Sequence, residues 1–153
     1  MKGPKIVMDP FAPSAIKEFV QNGVDNHNIA VTGNAPYYPV GFYVMDSDGS
    51  VLGGLMGQIW ARWLHVATLW VDERVRGRGH ATRLMAAAER YSIEKGCTDS
   101  FLDTFSFQAR PFYEKLGYRV FGTLDNHPEG HAHYFLTKHL GASKPMRARE
   151  KKS

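Results

Sequence analysis

The 153-residue chain contains one cysteine and no long apolar run, and both absences narrow the kind of protein it can be. Cys97 alone cannot form an internal disulfide, which fits a reducing compartment. The uninterrupted apolar stretches span only a few residues, whereas crossing a bilayer takes roughly 20. Residues 1–11 also lack the apolar segment of a secretory signal. We therefore expect a cytoplasmic protein without a membrane partner, long enough to bury a core that needs no disulfide or structural metal.

The excess of positive charge is small and lies at one end of the chain. The formal net charge is +4, with 19 Lys and Arg against 15 Asp and Glu. Residues 141–153 hold five of these basic residues and one acidic residue, so the other 140 residues balance at 14 of each sign. We expect this end to be a disordered basic tail. A nucleic acid is not an expected partner, because the remaining body has no net charge with which to attract phosphates.

Apolar spacing predicts a single domain over residues 1–140, in which strands outnumber helices. Helical spacing begins at Ser14, and the position at which this helix ends, near Gly23, is not fixed by the sequence. Helical spacing recurs at residues 79–95 and 109–116, which are followed by Gly96 and Gly117. Strands are predicted at residues 5–8, 41–45, 51–60, 64–72, 100–104, 118–123 and 132–139. The second, third and fourth of these form an antiparallel meander. The pattern indicates a mixed α/β (α+β) fold with a largely antiparallel sheet.

The segment that joins the meander to the second helix has the composition of a phosphate-binding turn. Gly77 and Gly79 allow the backbone to approach a ligand closely. The first amides of a helix that begins near Gly79 have no intrahelical acceptors, and the helix dipole favours an anion beside them. Arg74, Arg76 and Arg78 add charge-assisted donors. The segment fits neither a Walker A loop nor a dinucleotide-binding loop, and the alternative to phosphate binding is a solvated turn with surface arginines.

Two motifs in this region resemble those of a known family. Arg74-x-x-Gly77-x-Gly79, which follows a strand ending in Leu-Trp-Val-Asp, resembles the acetyl-CoA signature of the GNAT superfamily of N-acetyltransferases. Residues 102–118 resemble the strand, turn and helix of the same family, although Gln108 stands where many members have asparagine. The motifs have the family's order and separation, and the resemblance covers residues 40–140. It implies a GNAT-like, mostly antiparallel mixed sheet of about six to seven strands flanked by helices.

The resemblance also implies acetyl-CoA as cosubstrate and no metal. In this family the strand that carries residues 69–71 splays from its neighbour and pairs its backbone with pantetheine, while amides of residues 76–80 hold the pyrophosphate. The cofactor-binding residues that it implies are Leu69, Trp70, Val71, Arg74, Arg76, Gly77, Arg78, Gly79, His80, Ala81, Thr104, Gln108 and Phe112.

Acetylation of an amine needs a base for the amine and an acid for the leaving thiolate. The resemblance implies Tyr113 as the general acid, against the alternative that this tyrosine only packs the helix on the sheet. The candidate bases are His65 and Asp103, and a water chain can replace either. Alternatively, His65 is a histidine that only packs within its strand, and Asp103 is a carboxylate that only orders the following turn.

Two other chemistries are less well supported by the sequence. His127, His131 and His133 lack a complete ligand set with a familiar metal-binding spacing, so we expect them to border the acceptor cleft. Cys97 is expected to be a small buried hydrophobe rather than an acetylated nucleophile.

The sequence therefore predicts an acetyl-CoA-dependent N-acetyltransferase that acetylates a primary amine by direct transfer in a ternary complex. The expected acceptor is a small cationic amine, and many members of the family dimerise, which adds a homodimer to the expectations. The alternatives are a protein lysine or N-terminal acetyltransferase and a noncatalytic acyl-CoA-binding module.

Overall fold

The computed structural model describes residues 2–141, so residues 142–153 of the predicted tail lie outside the described part. The chain divides into two compact units, Met1–Ala35 and Pro36–Ser153. The assignment of residues 1–140 to one domain stays a prediction. Over residues 2–141, no helix combines the length and apolar character that a membrane span requires.

The described residues of the first unit contain one helix, α1 (Ser14–Thr32), which follows Pro13 and is capped by Gly33. Gly33 has a φ of 76° and donates its amide hydrogen to the carbonyl of Ile29. The helix continues through Gly23, since one interior glycine costs only about 1 kcal/mol in a helix of this length. The strand predicted at residues 5–8 is wrong: residues 2–9 have no regular structure and Ile6 is fully exposed. Four residues of strand propensity form no strand without a ladder partner.

The second unit is a six-stranded sheet with the order β1-β2-β3-β4-β6-β5, in which only the β3–β4 pair is parallel. This confirms the predicted mixed, mostly antiparallel sheet. Its elements are β1 (Tyr37–Met45), β2 (Val51–Trp60), β3 (Trp63–Val71), α2 (His80–Glu94), β4 (Asp99–Phe105), α3 (Arg110–Lys115), β5 (Arg119–Asp125) and β6 (Ala132–His139). A single 3₁₀ turn, Glu73–Val75, precedes α2 and had no counterpart in the apolar spacing.

The core includes the packing of α2 on the first three strands, and it extends to β4 and β6 through Leu102 and Leu136. Leu84, Met85 and Ala88 recur on one face of α2 and are buried, as are Leu55 of β2 and Leu64 of β3. Burial of a leucine of this kind stabilises the fold by about 1.5–3 kcal/mol. The apolar face of α2 is therefore what fixes the helix, and its first turn, over the sheet.

A partly buried polar network ties the middle of α2 to β6. Lys138 Nζ lies 2.8 Å from Oε2 of Glu89. The hydroxyl of Tyr118 donates to Oε1 of Glu89 and lies 2.8 Å from Oγ of Ser100. Because the charges are paired and the hydroxyls bonded, this network joins helix and sheet without an unsatisfied polar group.

The parallel ladder between β3 and β4 is short. It pairs only residues 63–66 of β3 with residues 99–102 of β4, and Val66 and Leu102 are the last pair. On its other side, β3 has an extra residue at Ala67, opposite the step from Met56 to Gly57. Gly57 is required here, because a Cβ would overlap the carbonyl oxygen of His65. Beyond this bulge β3 and β4 separate, and a cavity opens between them.

Candidate active site

A cavity of about 610 Å³ lies where β3 and β4 diverge. One wall is the β3 segment 66–71, whose backbone has no ladder partner on β4 beyond Val66. The opposite wall comes from the end of β4 and the start of α3. Arg76 from the loop before α2 and Ala81 of α2 also line the cavity, and the residues of the opposite wall are Asp103, Thr104, Phe107, Gln108, Ala109, Phe112 and Tyr113.

A second cavity of about 400 Å³ lies at the amino end of α2. It is lined by Val71, Val75, Arg76, Gly77, Gly79, His80, Ala81, Thr82 and Phe112. Val71, Arg76, Ala81 and Phe112 line both cavities. The two are therefore parts of one groove that runs from between the strands to the first turn of α2.

The first turn of α2 presents free backbone donors to this groove. Gly79 precedes the helix with a φ of 81° and gives no side-chain cap. The first intrahelical bond runs from the amide of Arg83 to the carbonyl of Gly79 at 3.0 Å. The amides of His80, Ala81 and Thr82 consequently have no acceptor within the helix, and the positive end of the dipole lies at the same place. This arrangement suits an anionic oxygen.

The three arginines of the turn have different surroundings. Arg74 is held by Asp72, with Nη2 2.7 Å from Oδ2 and Nε 2.8 Å from Oδ1, and lines neither cavity. These hydrogen bonds lower the pKa of Asp72 to about 2. Arg76 donates from Nε to the carbonyl oxygen of Val71 at 2.8 Å and lines both cavities. Arg78 is exposed, lines neither cavity, and has no side-chain partner within residues 2–141.

A fourth arginine, which the sequence motif did not indicate, belongs to this turn. Arg83 Nη2 lies 2.7 Å from Nδ1 of His80, and its Nη1 donates to the carbonyl oxygen of Arg78. The signal available in the sequence is the i, i+3 spacing of His80 and Arg83, which places both on one face of a helix. Since guanidinium donates and never accepts, Nδ1 of His80 is the acceptor of this bond.

The turn between β4 and α3 is ordered from within by Gln108. Its Oε1 accepts from the amide of Phe105 at 3.0 Å and from Oγ1 of Thr104 at 3.3 Å. Both Thr104 and Gln108 line the first cavity. The side-chain oxygen is used inside the turn, and the side-chain nitrogen of Gln108, which has no acceptor among residues 2–141, can donate to a ligand.

Tyr113 is the buried phenol of the first cavity, with a residue exposure of 7%. Burial, and after it the negative charge of Asp103, raises the pKa of Tyr113 to about 12. The hydroxyl is therefore protonated at neutral pH. It has a proton to donate to a leaving thiolate, although the raised pKa makes it a weaker acid than a free phenol.

The two candidate bases lie in different surroundings. Asp103 lines the first cavity together with Tyr113, and its side chain is 37% exposed. His65 lines neither cavity: its ring stacks on Phe101 at 4.4 Å, and its Nδ1 lies 3.0 Å from Nε2 of Gln58. Of the two, only Asp103 shares a cavity with the proposed acid.

Two of the three histidines near β6 form a hydrogen-bonded chain with Asp103. Nε2 of His133 lies 2.7 Å from Oδ2 of Asp103, and Nδ1 of His133 lies 3.1 Å from Nδ1 of His127. His131 is exposed and contacts the ring of Phe107 edge-on. Within the described part of the chain, no group of three or more His, Cys, Asp or Glu side chains has an arrangement that could hold a metal ion.

Comparison with known proteins gives a consistent result. Residues 13–118 match the model of the acetyltransferase (GNAT) family. Over 99 residues the chain is 40% identical to a blasticidin-S acetyltransferase from Streptomyces morookaense, a region that covers 64% of this chain and 73% of that protein. It is 30% identical to an acetyltransferase from Agrobacterium fabrum over 86% of this chain and 96% of the relative.

A solved structure agrees in fold. The crystal structure of an acetyltransferase from Bacillus cereus matches 88% of this chain and 97% of its own with a TM-score of 0.80 and 35% sequence identity.

Proposed function

The chain belongs to the acetyltransferase (GNAT) family, and from this membership we propose that it transfers the acetyl group of acetyl-CoA directly to a primary amine of a small cationic molecule. The observation that carries the proposal is the groove between β3 and β4. Tyr113 and Asp103 line it beside residues 67–71, which have no partner on β4, and it continues to the free amides of α2. Acid, base and anion site are thus available along one groove.

The groove fits a long ligand with an amide-bearing arm and a phosphate head. The backbone of residues 69–71 has no ladder partner on the β4 side and offers peptide groups to amides of the arm. The amides of His80 and Ala81, with the guanidinium of Arg76, would hold a diphosphate. Acetyl-CoA, when bound, supplies a thioester carbonyl that an amine can attack and a thiolate that can leave.

The residues of the first cavity supply the two proton transfers that the reaction needs. The amine attacks as its free base, after its ammonium form has lost one proton to solvent. Asp103 takes a second proton from it as the C–N bond forms. Tyr113 gives its proton to the sulfur as the C–S bond breaks. The phenol recovers a proton and the carboxylate loses one to solvent, so the enzyme returns to its starting state. Each transfer of this kind contributes on the order of 10² to 10⁴ in rate.

The negative charge of Asp103 and the name of one relative support a small cationic molecule as the acceptor. Asp103 places a half-exposed carboxylate in the cavity. Phe107 also lines the cavity, and its ring stacks on that of Phe105 with centroids 5.3 Å apart. A cationic amine is attracted by the carboxylate and by ring faces. The relative with 40% identity is named for blasticidin S, which is therefore the first acceptor to try.

The state of Cys97 supports transfer without an acetyl-enzyme. Cys97 is fully buried and lines neither cavity. Burial raises the pKa of its thiol, which leaves little of the reactive thiolate at neutral pH. A homodimer and a cytoplasmic location stay predictions.

Initial rates measured at several concentrations of both substrates test direct transfer. We expect double-reciprocal lines that intersect, because both substrates must bind before reaction. Intact mass after incubation with acetyl-CoA alone should show unmodified enzyme. Parallel lines together with an acetylated enzyme would replace direct transfer by a covalent route.

A further inference from the structure

His133 is a buried imidazole whose two nitrogens both have partners. The residue is 7% exposed, and its ring stacks on Phe105 with centroids 4.2 Å apart. Asp103 faces Phe135 in the β4–β6 ladder, and Phe105 faces His133. Asp103 and His133 are therefore diagonal neighbours on one face of the sheet, which explains the 2.7 Å distance between Oδ2 and Nε2.

The protons of this chain can be assigned from the partners. An ionised carboxylate only accepts, so Nε2 of His133 carries the hydrogen that is shared with Asp103. In the neutral imidazole the other nitrogen then accepts, which requires Nδ1 of His127 to be the donor at 3.1 Å. The chain thus runs from His127 through His133 to Asp103, with every donor directed towards the carboxylate.

The bond uses one oxygen of Asp103 and leaves the other without a partner among residues 2–141. Asp103 directly follows Leu102, the last residue of β4 that pairs with β3, and lines the first cavity. A carboxylate at the end of a ladder can rotate about its terminal torsion unless a partner fixes it. His133 provides that partner from the neighbouring strand.

We infer that His133 is a positioning residue for acetyl transfer: it fixes the orientation of the Asp103 carboxylate with Oδ1 available to the amine, and His127 donates to the other nitrogen of His133. The inference rests on the proposed function, since it assigns His133 to the same base. His133 does not touch the substrate in this account and acts only through Asp103.

Variants of the two histidines on β6 separate this role from a structural one. His133→Phe keeps an aromatic ring beside Phe105 but removes the bond, and we expect kcat to fall by at least about tenfold while the KM for acetyl-CoA changes by less than about twofold. His133→Gln can donate from a similar position and should recover most of kcat. The matched control is His139→Phe, because His139 pairs with Asp99 at 3.1 Å on the same ladder, outside both cavities. It should leave kcat unchanged.

A double mutant tests the route through Asp103. If His133 acts only through Asp103, then His133→Phe costs nothing further in the Asp103→Asn background. A kcat for His133→Phe equal to the wild type, or losses that multiply in the double mutant, would overturn the inference.

Long-range ¹H–¹⁵N spectra of the histidine rings test the same chain without turnover. We expect His133 to be the Nε2–H tautomer and His127 the Nδ1–H tautomer, with the His133 signals assigned from their loss in His133→Gln. An Nδ1–H tautomer at His133 would contradict the inference. If no amine is acetylated but these tautomers are found, then the proposed function fails while the pairing of His133 with Asp103 stands.

Discussion

Val66 and Leu102 are the last residues of β3 and β4 that pair with each other, and the groove opens directly beyond them. Asp103 follows Leu102, and the unpaired β3 segment follows Val66. One break in a parallel ladder thus provides both the backbone wall of the groove and the position of its carboxylate.

Gly79→Ala should weaken acetyl-CoA binding. The residue has a φ of 81°, where an alanine costs about 1–2 kcal/mol, so the turn must shift and carry the first amides of α2 with it. We expect the KM for acetyl-CoA to rise by about tenfold, which corresponds to about 1.4 kcal/mol. Gly49→Ala is the control, because Gly49 also has a φ of 81° but lies in the β1–β2 turn. Equal KM changes in both variants would argue against the amide site.

Tyr113→Phe should reduce kcat by a factor on the order of 10² to 10⁴, with the fold retained. The lost hydroxyl is the proposed proton donor to the thiolate, and the ring stays in the core. Tyr118→Phe is the matched control: this buried tyrosine bonds Ser100 and Glu89 and lines neither cavity. It should lower the free energy of unfolding and leave kcat nearly unchanged. Undiminished turnover of Tyr113→Phe at saturating substrates would remove the general-acid role.

The buried tyrosines should make the protein less stable in alkali. The pKa of Tyr113 is raised from 10.0 to about 12, and burial also raises the pKa of Tyr118. Above pH 10 the unfolded chain loses protons that the folded chain keeps, so the free energy of unfolding falls between pH 10 and 12. Urea unfolding at pH 9 to 11 measures this, and the fall should be shallower in Tyr113→Phe. A fall of equal slope would mean that Tyr113 titrates normally.

Arg74→Ala should raise the pKa of Asp72 from about 2 part of the way towards 3.8, because the two side-chain hydrogen bonds from Arg74 are lost while the bond from the backbone amide of residue 74 remains. The depressed pKa stabilises the native state above pH 3.8, and this contribution disappears as the pH falls to about 2. Carbon-detected NMR titration of the Asp72 carboxyl group reports the change. An unchanged midpoint in Arg74→Ala would show that another donor lowers the pKa.

Much of this fold could be predicted from the sequence, because the signals that predict its helices and turns are local. Helical spacing and Gly96 predict α2, and the loop glycines predict its anion site. The strand at residues 5–8 failed because strand propensity requires a partner that no local pattern can supply.

The same limit explains why the sequence could not choose between the two candidate bases, His65 and Asp103. Period-two spacing places His65 on one face of β3 with Leu69 and Val71. The bulge at Ala67 reverses that parity, so that Val66 and Val71 are both buried. His133 lies 30 residues from Asp103, and their contact depends on the register of β4 with β6. Such pairing is a property of the folded sheet rather than of any segment.

The central claim is acetyl transfer from acetyl-CoA to a small cationic amine, and acceptor-dependent thiol release tests it most directly. Blasticidin S, aminoglycosides, simple diamines and lysine peptides would be offered with acetyl-CoA, and products identified by mass spectrometry. We predict thiol release that requires a cationic small molecule, yields its N-acetyl product, and is strongly reduced in Tyr113→Phe. No acceptor-dependent release across the panel by a protein that still binds acetyl-CoA would contradict the account and indicate a noncatalytic acyl-CoA-binding module.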